Sequence, residues 1–462
     1  MVSCPKEGET MKKAYAILAL LLVLGMMLPA CAPATPEPAA EEPATEAPVV
    51  EEPATEAPAA EEKIHLVWWS HWAEETNKRN FIEQVIKDYT AEHPNVEVET
   101  VWWQKVEMFP AIQNTSIAGE GFPDIFYTDR TAPQLSDAGW TADLSDSINW
   151  DNVEGWAKDS WTWPSGEVYA MPLEAATLEL YINAGIFEEL GIEFPENRQF
   201  TADQFMEVAK KCKEGGYDVF AGGMNWWGSG ALPFWYALEH TMGVEEFTKY
   251  FNGEVPVDTP EARAAIEWAY ELVSLPAYPA DYAEGTIQEA HQRFHTKQDS
   301  CMFPVGSWYT GRAFVPVEEG GQPADFKLSC IPYPAMPNGK ANDEHLWYVG
   351  GSLAVHNMSP HKDVAMDLVN FMAQEKYGNL WYAMTGVQTG IKTNLETMPP
   401  TDFDWYFQEF DDCKPAAKAA PINVFGQPGD FRAAWIQVFN EGLVLGTMDV
   451  DEALERLEAA RP

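Results

Sequence analysis

The stretch from Lys63 to Tyr127 constrains the fold most, because its hydrophobic period switches repeatedly between two and about 3.6 residues. Lys63–Trp69 is rich in Ile, Leu, Val and Trp and predicts a strand. Asn80–Glu92 then carries Phe81, Val85, Ile86 and Tyr89 at helical spacing, until His93-Pro94-Asn95 breaks the pattern. Val96–Trp102 alternates as a second strand, Met108–Ile117 predicts a second helix ending near Gly119, and Pro123–Tyr127 predicts a third strand. Strand–helix–strand–helix–strand is the order of a parallel sheet covered by helices, whose ligands collect beyond the carboxyl ends of the strands. Those ends are Ser70–Trp72, Trp102-Trp103 and Tyr127–Arg130. Further helices are predicted at Ala202–Cys212, Pro260–Val273, Lys362–Ala373 and Phe431–Leu443. Short strands are predicted at Leu178–Tyr181, Cys301–Pro304, Lys327–Ile331 and Ser352–Val355. The expected fold class is α/β.

The residues before Lys63 cannot join that core. Met11-Lys12-Lys13 supplies positive charge, Ala14–Leu28 is an apolar run too short to span a bilayer comfortably, and Leu28-Pro29-Ala30-Cys31 follows. This order predicts a secretory leader over 1–30, with Met11 as the true start. The Leu-x-Ala-Cys ending resembles the bacterial lipobox, which implies that Cys31 carries a lipid. Residues 31–62 hold nine Glu, no Lys or Arg and no aromatic residue, and EEPATEAP recurs at 41–48 and 51–58. Such a segment buries too little apolar area to offset its ordering entropy, so it reads as an extended acidic tether.

The chain carries a net charge of −43; setting aside the tether's nine Glu and the leader's net +1 leaves −35 for residues 63–462. A surface that acidic repels nucleic acid and anionic headgroups. Four cysteines remain in the body, Cys212, Cys301, Cys330 and Cys413, none in CxxC spacing, so no zinc site is expected and no pairing follows from spacing. Tryptophan is the outlier, with 19 residues, many clustered: Trp68-Trp69 and Trp72, Trp102-Trp103, Trp226-Trp227. Successive side chains on a strand face opposite sides, so some of these rings are expected at a cleft or the surface. Aromatic faces suit the C–H faces of sugar rings, with carboxylates and guanidiniums taking the hydroxyls.

The order of landmarks resembles the family 1 extracellular solute-binding proteins of ABC transporters, which include maltose-binding protein. IHLVWWSH with its following helix and HPNVEVETVWW match the family's start. GEGFPDIFYTDR and GWTADL resemble the segment ending in an Asp-Arg pair, and YAMPLEAATLELYIN with FEELGI resembles the Tyr-x-x-Pro to Tyr-Asn stretch. CMFPVGSWYTG resembles the Gly-x-Trp strand, YVGGSLAV the Gly-Gly return strand, and VDEALERLEA the closing helix.

This resemblance implies a two-lobed, type II periplasmic-binding-protein-like fold that closes on its ligand. It places the first lobe at about 63–173 plus 348–398 and the second at about 174–347 plus 399–462. It also implies a monomer that binds a mono- or oligosaccharide, delivers it to an ABC permease, needs no cofactor, catalyses nothing, and sits outside the cytoplasm, held to the membrane by its lipid alone. Residue by residue, Asp129 and Arg130 match a hydroxyl-binding pair, Tyr127 lies near a cleft aromatic, and Trp308 matches a stacking ring that Gly306 turns toward the cleft. Trp226 and Trp227 fall in a second-lobe loop that Asn225, Gly228 and Gly230 keep open. Trp72, Trp347, Gly350 and Gly351 join the expected site, and Arg432 or Trp435 stands near another cleft aromatic. Glu174 lies two positions before the family's cleft carboxylate, where this chain has Ala176, and Ala73 replaces a basic residue. The pocket is therefore related but repopulated. Cys301 and Cys330, on strands that could be neighbours in such a fold, are a candidate disulfide.

Three other readings fit less well. A secreted glycosidase would need a carboxylate pair across a cleft, with Asp129 and Glu174 the obvious choice. His291 and His295 have the spacing of two metal ligands on one helix face but lack the Glu of HExxH, and read better as solvated helix residues. A polyamine, amino-acid or iron-complex receptor would suit the acidic body but not the clustered Trp.

Overall fold

The computed structural model describes residues 63–462 apart from 130, 131, 133, 164, 227, 407–418 and 422–428. The leader, the tether, Cys31, Arg130, Trp227 and Cys413 lie outside the described residues. The strands are β1 (Ile64–Ser70), β2 (Val96–Trp102), β3 (Ile125–Thr128), β4 (Met171–Pro172), β5 (Ala175–Asn183), β6 (Asp218–Phe220), β7 (Ser300–Gly306), β8 (Leu328–Ile331), β9 (His345–Val349), β10 (Ser352–Val355) and β11 (Ala419–Pro421).

They form two mixed sheets, one per lobe. The first has the order β2-β1-β3-β10-β4. β2 and β3 run parallel to β1, and β10 runs antiparallel to both β3 and β4. The crossovers are the helices Thr76–Glu92 and Lys105–Ala118, the second ended by Gly119 in the left-handed conformation at φ +77°. The first crossover buries Lys78, Phe81, Ile82, Val85 and Tyr89 along one stripe. Both faces of β1 are covered, so Trp68 and Trp69 are 0% and 8% exposed, whereas Trp102, Trp103 and Trp226 of the other clusters are half-buried. Trp103 packs on Trp69 at 4.8 Å between ring centroids.

In the second sheet the order is β11-β9-β5-β7-β6, with β8 also on β5. β5 is the spine: it pairs antiparallel with β7 along one edge and with β9 and then β8 along the other. This arrangement corrects the disulfide. Because β5 lies between β7 and β8, Cys301 and Cys330 are two strand spacings apart, roughly 9–10 Å, beyond the reach of a disulfide. Cys301 instead bonds Cys212 on the helix Ala202–Glu214, with the two Cα atoms 6.3 Å apart. Cys330 is disulfide-bonded too, and not to Cys301.

Local signals explain the helix boundaries. Thr201 and Gln204 form a reciprocal capping box, and Thr259 caps Pro260–Val273 with Pro at the first position. The last expected helix is two pieces, Gly429–Trp435 and a wider π-turn, Ile436–Gly442. The widened turn carries Asn440, whose amide accepts from Gly230 N at 3.0 Å and the Tyr282 hydroxyl at 2.7 Å and donates to Met224 O at 2.9 Å. Gly228 and Gly230 do not hold a loop open; they begin the helix Gly228–Met242. A Cβ on Gly230 would sit 2.7 Å from the Tyr282 hydroxyl and 2.8 Å from Val444, so the space, not the torsion, requires glycine.

The chain passes between the sheets at Leu173-Glu174, at Gly350-Gly351 and again near Gln388. The passages are hydrogen-bonded to one another: Gly350 N donates to Glu174 O at 3.0 Å, Glu174 N to Gly351 O at 2.6 Å, and Ala175 N to Gln388 O at 3.0 Å. A Cβ on Gly351 would meet Tyr127 Cε2 at 2.5 Å, so this crossing can run only where the side chain is absent.

Candidate functional site

The carboxyl ends of β1 and β3 meet the crossings, and there the structure gathers several of the expected residues. Trp72 is fully buried between Tyr127, at 5.6 Å and edge-on, and Trp381, at 5.4 Å. His71 packs on Tyr127 with ring centroids 4.0 Å apart and the planes tilted by 55°. The Tyr127 hydroxyl donates to Asp129 Oδ2 at 3.2 Å, and Asp129 is completely buried. The hydroxyls of Ser70 and Ser307 and the indole N–H of Trp72 are buried without a hydrogen-bond partner among the described residues. Native proteins rarely leave such groups unsatisfied.

Glu174 is committed to a partner that the sequence reading missed. Its Oε2 is 2.7 Å from Lys78 Nζ, and Lys78 is also 2.7 Å from Glu75 Oε2. Lys78 is 2% exposed, and its ammonium lies 5.6 Å from the Trp72 ring and 5.8 Å from the Trp381 ring. Burial alone would lower the Lys78 pKa; the carboxylates of Glu174 and Glu75 outweigh it and hold the group above its ordinary value. The signal was present in the sequence: the stripe Phe81, Ile82, Val85, Tyr89, continued one turn toward the amino end, lands on Lys78.

Across from this cluster, the second lobe contributes the turn after β7. Trp308 and Trp226 meet edge to face at 5.5 Å, both half-buried. Gly306 has ordinary extended torsions, φ −75° and ψ 158°, so it does not turn the chain as expected. It instead leaves room for Trp308 to fold back, since a Cβ there would fall 1.9 Å from that ring. Three residues on, a Cβ on Gly311 would stand 2.8 Å from Lys78 Cε, which places this turn directly on the first-lobe cluster. Arg312 reaches Glu75 at 3.3 Å and Glu74 at 3.5 Å.

The other expected residues scatter. Trp347 is half-buried and packs at 5.0 Å on Trp156 from the helix Gly155–Asp159, a ring the sequence gave no reason to single out. Gly350 and Gly351 form a crossing. Trp435 is 2% exposed among Trp235, Phe251, Phe431 and Phe439, so it belongs to the second-lobe core and not to a cleft. Arg432, on the same helix, is half-buried. His291 and His295 are not solvated: they are 3% and 1% exposed. His295 is engaged by the Tyr309 hydroxyl and by Gly320 O, each at 3.0 Å. Burial, with Arg312 nearby, holds His291 well below its ordinary pKa.

Two α/β lobes joined by crossing strands, with aromatic and charged groups gathered where they meet, define a class that traps small solutes. A family model for bacterial extracellular solute-binding proteins matches residues 72–379. The chain belongs to that family. It is 25% identical over 280 residues to an uncharacterized ABC transporter extracellular-binding protein of Pyrococcus horikoshii, covering 57% of this chain and 60% of that protein. It is 21% identical over 365 residues to the melibiose/raffinose/stachyose-binding protein MelE of Bacillus subtilis, covering 71% of this chain and 75% of that one. A structure from work on xylan utilization by the thermophilic bacterium Caldanaerobius polysaccharolyticus superimposes with a TM-score of 0.71 at 19% identity, over 86% of this chain and 99% of the other. The family is one of extracellular solute-binding proteins, the Bacillus subtilis relative is a binding protein, and no helix among the described residues is long and apolar enough to cross a membrane.

Proposed function

We propose that this chain captures a carbohydrate between two closing lobes and delivers it to an ABC import permease, catalysing nothing itself. The lobes are 63–173 plus 348–398 and 174–347 plus 399–462. The carrying observation is the pair of aromatic corners, Trp72–Tyr127 and Trp226–Trp308, on either side of the contact between Lys78 and Gly311. Aromatic faces with unsatisfied hydroxyl and indole groups beside them suit an uncharged polyol. Asp129 and Arg130 take hydroxyls, with Trp227, Trp347 and Arg432 as further candidate contacts. A cationic cargo is disfavoured, because the Glu174 and Glu75 carboxylates already share Lys78. Cys31 carries a lipid, and the acidic tether holds the lobes off an extracytoplasmic membrane face.

The test is a thermal-shift panel on residues 63–462 with raffinose, xylo- and chito-oligosaccharides, monosaccharides and polyamines. A saturating sugar raises the midpoint, by the linkage of binding to folding, and is recovered chemically unchanged. A shift with polyamines alone, or release of reducing ends, overturns the reading. Separately, Cys31→Ala releases the full chain from washed membranes; its retention there overturns the anchor.

A further inference from the structure

We propose that Arg312 is a positioning residue for lobe closure, the second-lobe half of a charged clasp whose first-lobe half is Glu75 and its neighbour Glu74. The proposal rests on the reading that the lobes open and close. The contact joins parts of the chain 237 and 238 residues apart, from the start of the helix Thr76–Glu92 to the turn after β7. Glu75 is shared: Oε2 holds Lys78 on its own side at 2.7 Å, while Oε1 faces Arg312 from the other at 3.3 Å. Lys78 in turn is fixed to Glu174 at the crossing, so the carboxylate that Arg312 meets is braced against the hinge. Gly311 lets the backbone of the second-lobe turn lie against the Lys78 stem. A second contact reinforces the first: the Thr76 hydroxyl donates to the Glu319 carboxylate and accepts from Arg79 Nη2 at 2.9 Å.

The energetics assign the two parts different duties. The Glu75–Lys78–Glu174 cluster is nearly solvent-free, with side chains 5%, 2% and 8% exposed, and stays with the first lobe and the hinge whether the lobes are open or closed. Arg312 and Glu74 are 24% and 53% exposed. When the lobes part, these two regain water at little cost, so the contact can break and reform. An ion pair of this intermediate exposure contributes modestly and is screened by salt. Closure on an uncharged cargo therefore carries a salt dependence that belongs to the protein alone, and part of the cargo-free population is already closed.

The experiment places a dye pair on the exposed positions Glu83 and Glu214, one per lobe, and reads the closed-to-open ratio by energy transfer without cargo. Arg312→Gln lowers that ratio about fivefold at low salt, the size of a good partly exposed pair. Sodium chloride at about 1 M, where screening acts within a few ångströms, produces the same drop in the wild type and little further change in the variant. Arg312→Lys restores part of the ratio, and Glu74→Gln provides an independent break if Arg312→Gln folds poorly. Lys210→Gln, which removes an exposed pair with Glu207, leaves the ratio unchanged. Equal ratios and equal salt responses in wild type and Arg312→Gln, with raffinose still closing both, overturn the clasp alone. No response to salt, raffinose or mutation in any form overturns lobe closure with it.

Discussion

The two lobes solve the same packing problem with different chain economies. In the first, β1, β2 and β3 are consecutive segments tied by two short crossovers, and only β10 and β4 come from elsewhere. In the second, β5 collects partners from residues 300–306, 328–331 and 345–349, so its sheet closes only after long stretches of chain have been brought back. That lobe carries the Cys212–Cys301 disulfide across 89 residues. Their buried carboxyls differ as well. Asp124 of the first lobe accepts the Val67 N–H at 2.8 Å and the Ser359 hydroxyl at 2.5 Å. Glu239 of the second is 0% exposed, and burial, then Glu344 and Asp343, push its pKa up to about 9. The first lobe satisfies its buried charge and gathers more of it where it meets the second; the second lobe relies on a covalent staple and on a carboxyl kept neutral.

This contrast can be broken at four points. Lys78→Met leaves Glu75 and Glu174 facing each other without their shared cation, and should cost about 3–5 kcal/mol in urea unfolding, as for one partner lost from a buried ion cluster. A loss under about 1 kcal/mol would mean that water enters the interface freely, and the first-lobe description would fail. Replacing both Cys212 and Cys301 by Ala should cost about 2–5 kcal/mol and loosen the second lobe first, seen as earlier hydrogen exchange in β6 and β7 than in β1 and β3. Uniform loosening of both lobes would remove the distinction.

Trp308→Ala should weaken binding of whichever sugar gives a thermal shift by about 1–3 kcal/mol, tenfold or more, through loss of a half-buried aromatic wall. It should destabilise the fold less than the roughly 3–5 kcal/mol of a core Trp truncation such as Trp435→Ala. The reverse ranking would make Trp308 core. Glu239→Gln should give the change that depends on pH, a gain at pH 8 that shrinks toward nothing as the pH falls to 4.5. The sign follows from linkage: a folded-state pKa near 9 against an ordinary value of 4.5 means that the unfolded chain releases its proton first. Stability is full below pH 4.5 and declines up to about pH 9, so the neutral amide removes that decline. Unfolding midpoints of the two forms that keep a constant gap from pH 5 to 9 would refute the neutral-carboxyl description.

Local order was legible along the chain because it depends on nearest neighbours. Apolar, β-branched and aromatic content marked β1, alternation marked β2, the helix beginning at Pro260 was expected there, and Ser352–Val355 emerged with the bounds expected of it. The sequence also determined the character of the protein: an acidic, tryptophan-rich α/β chain with landmarks in a family's order. Only the tertiary structure decided which groups meet. Cys301 found Cys212 because β5 intervenes before Cys330, a matter of strand order that spacing does not encode. Trp435 went to the core because Trp235 and Phe251, far away in the chain, pack on it, and Glu174 went to Lys78, 96 residues away, because that side chain supplied the charge. Arg312 gains its meaning only when the second lobe rests on the first, since an ion pair is a property of distance and solvent, and a sequence specifies neither directly.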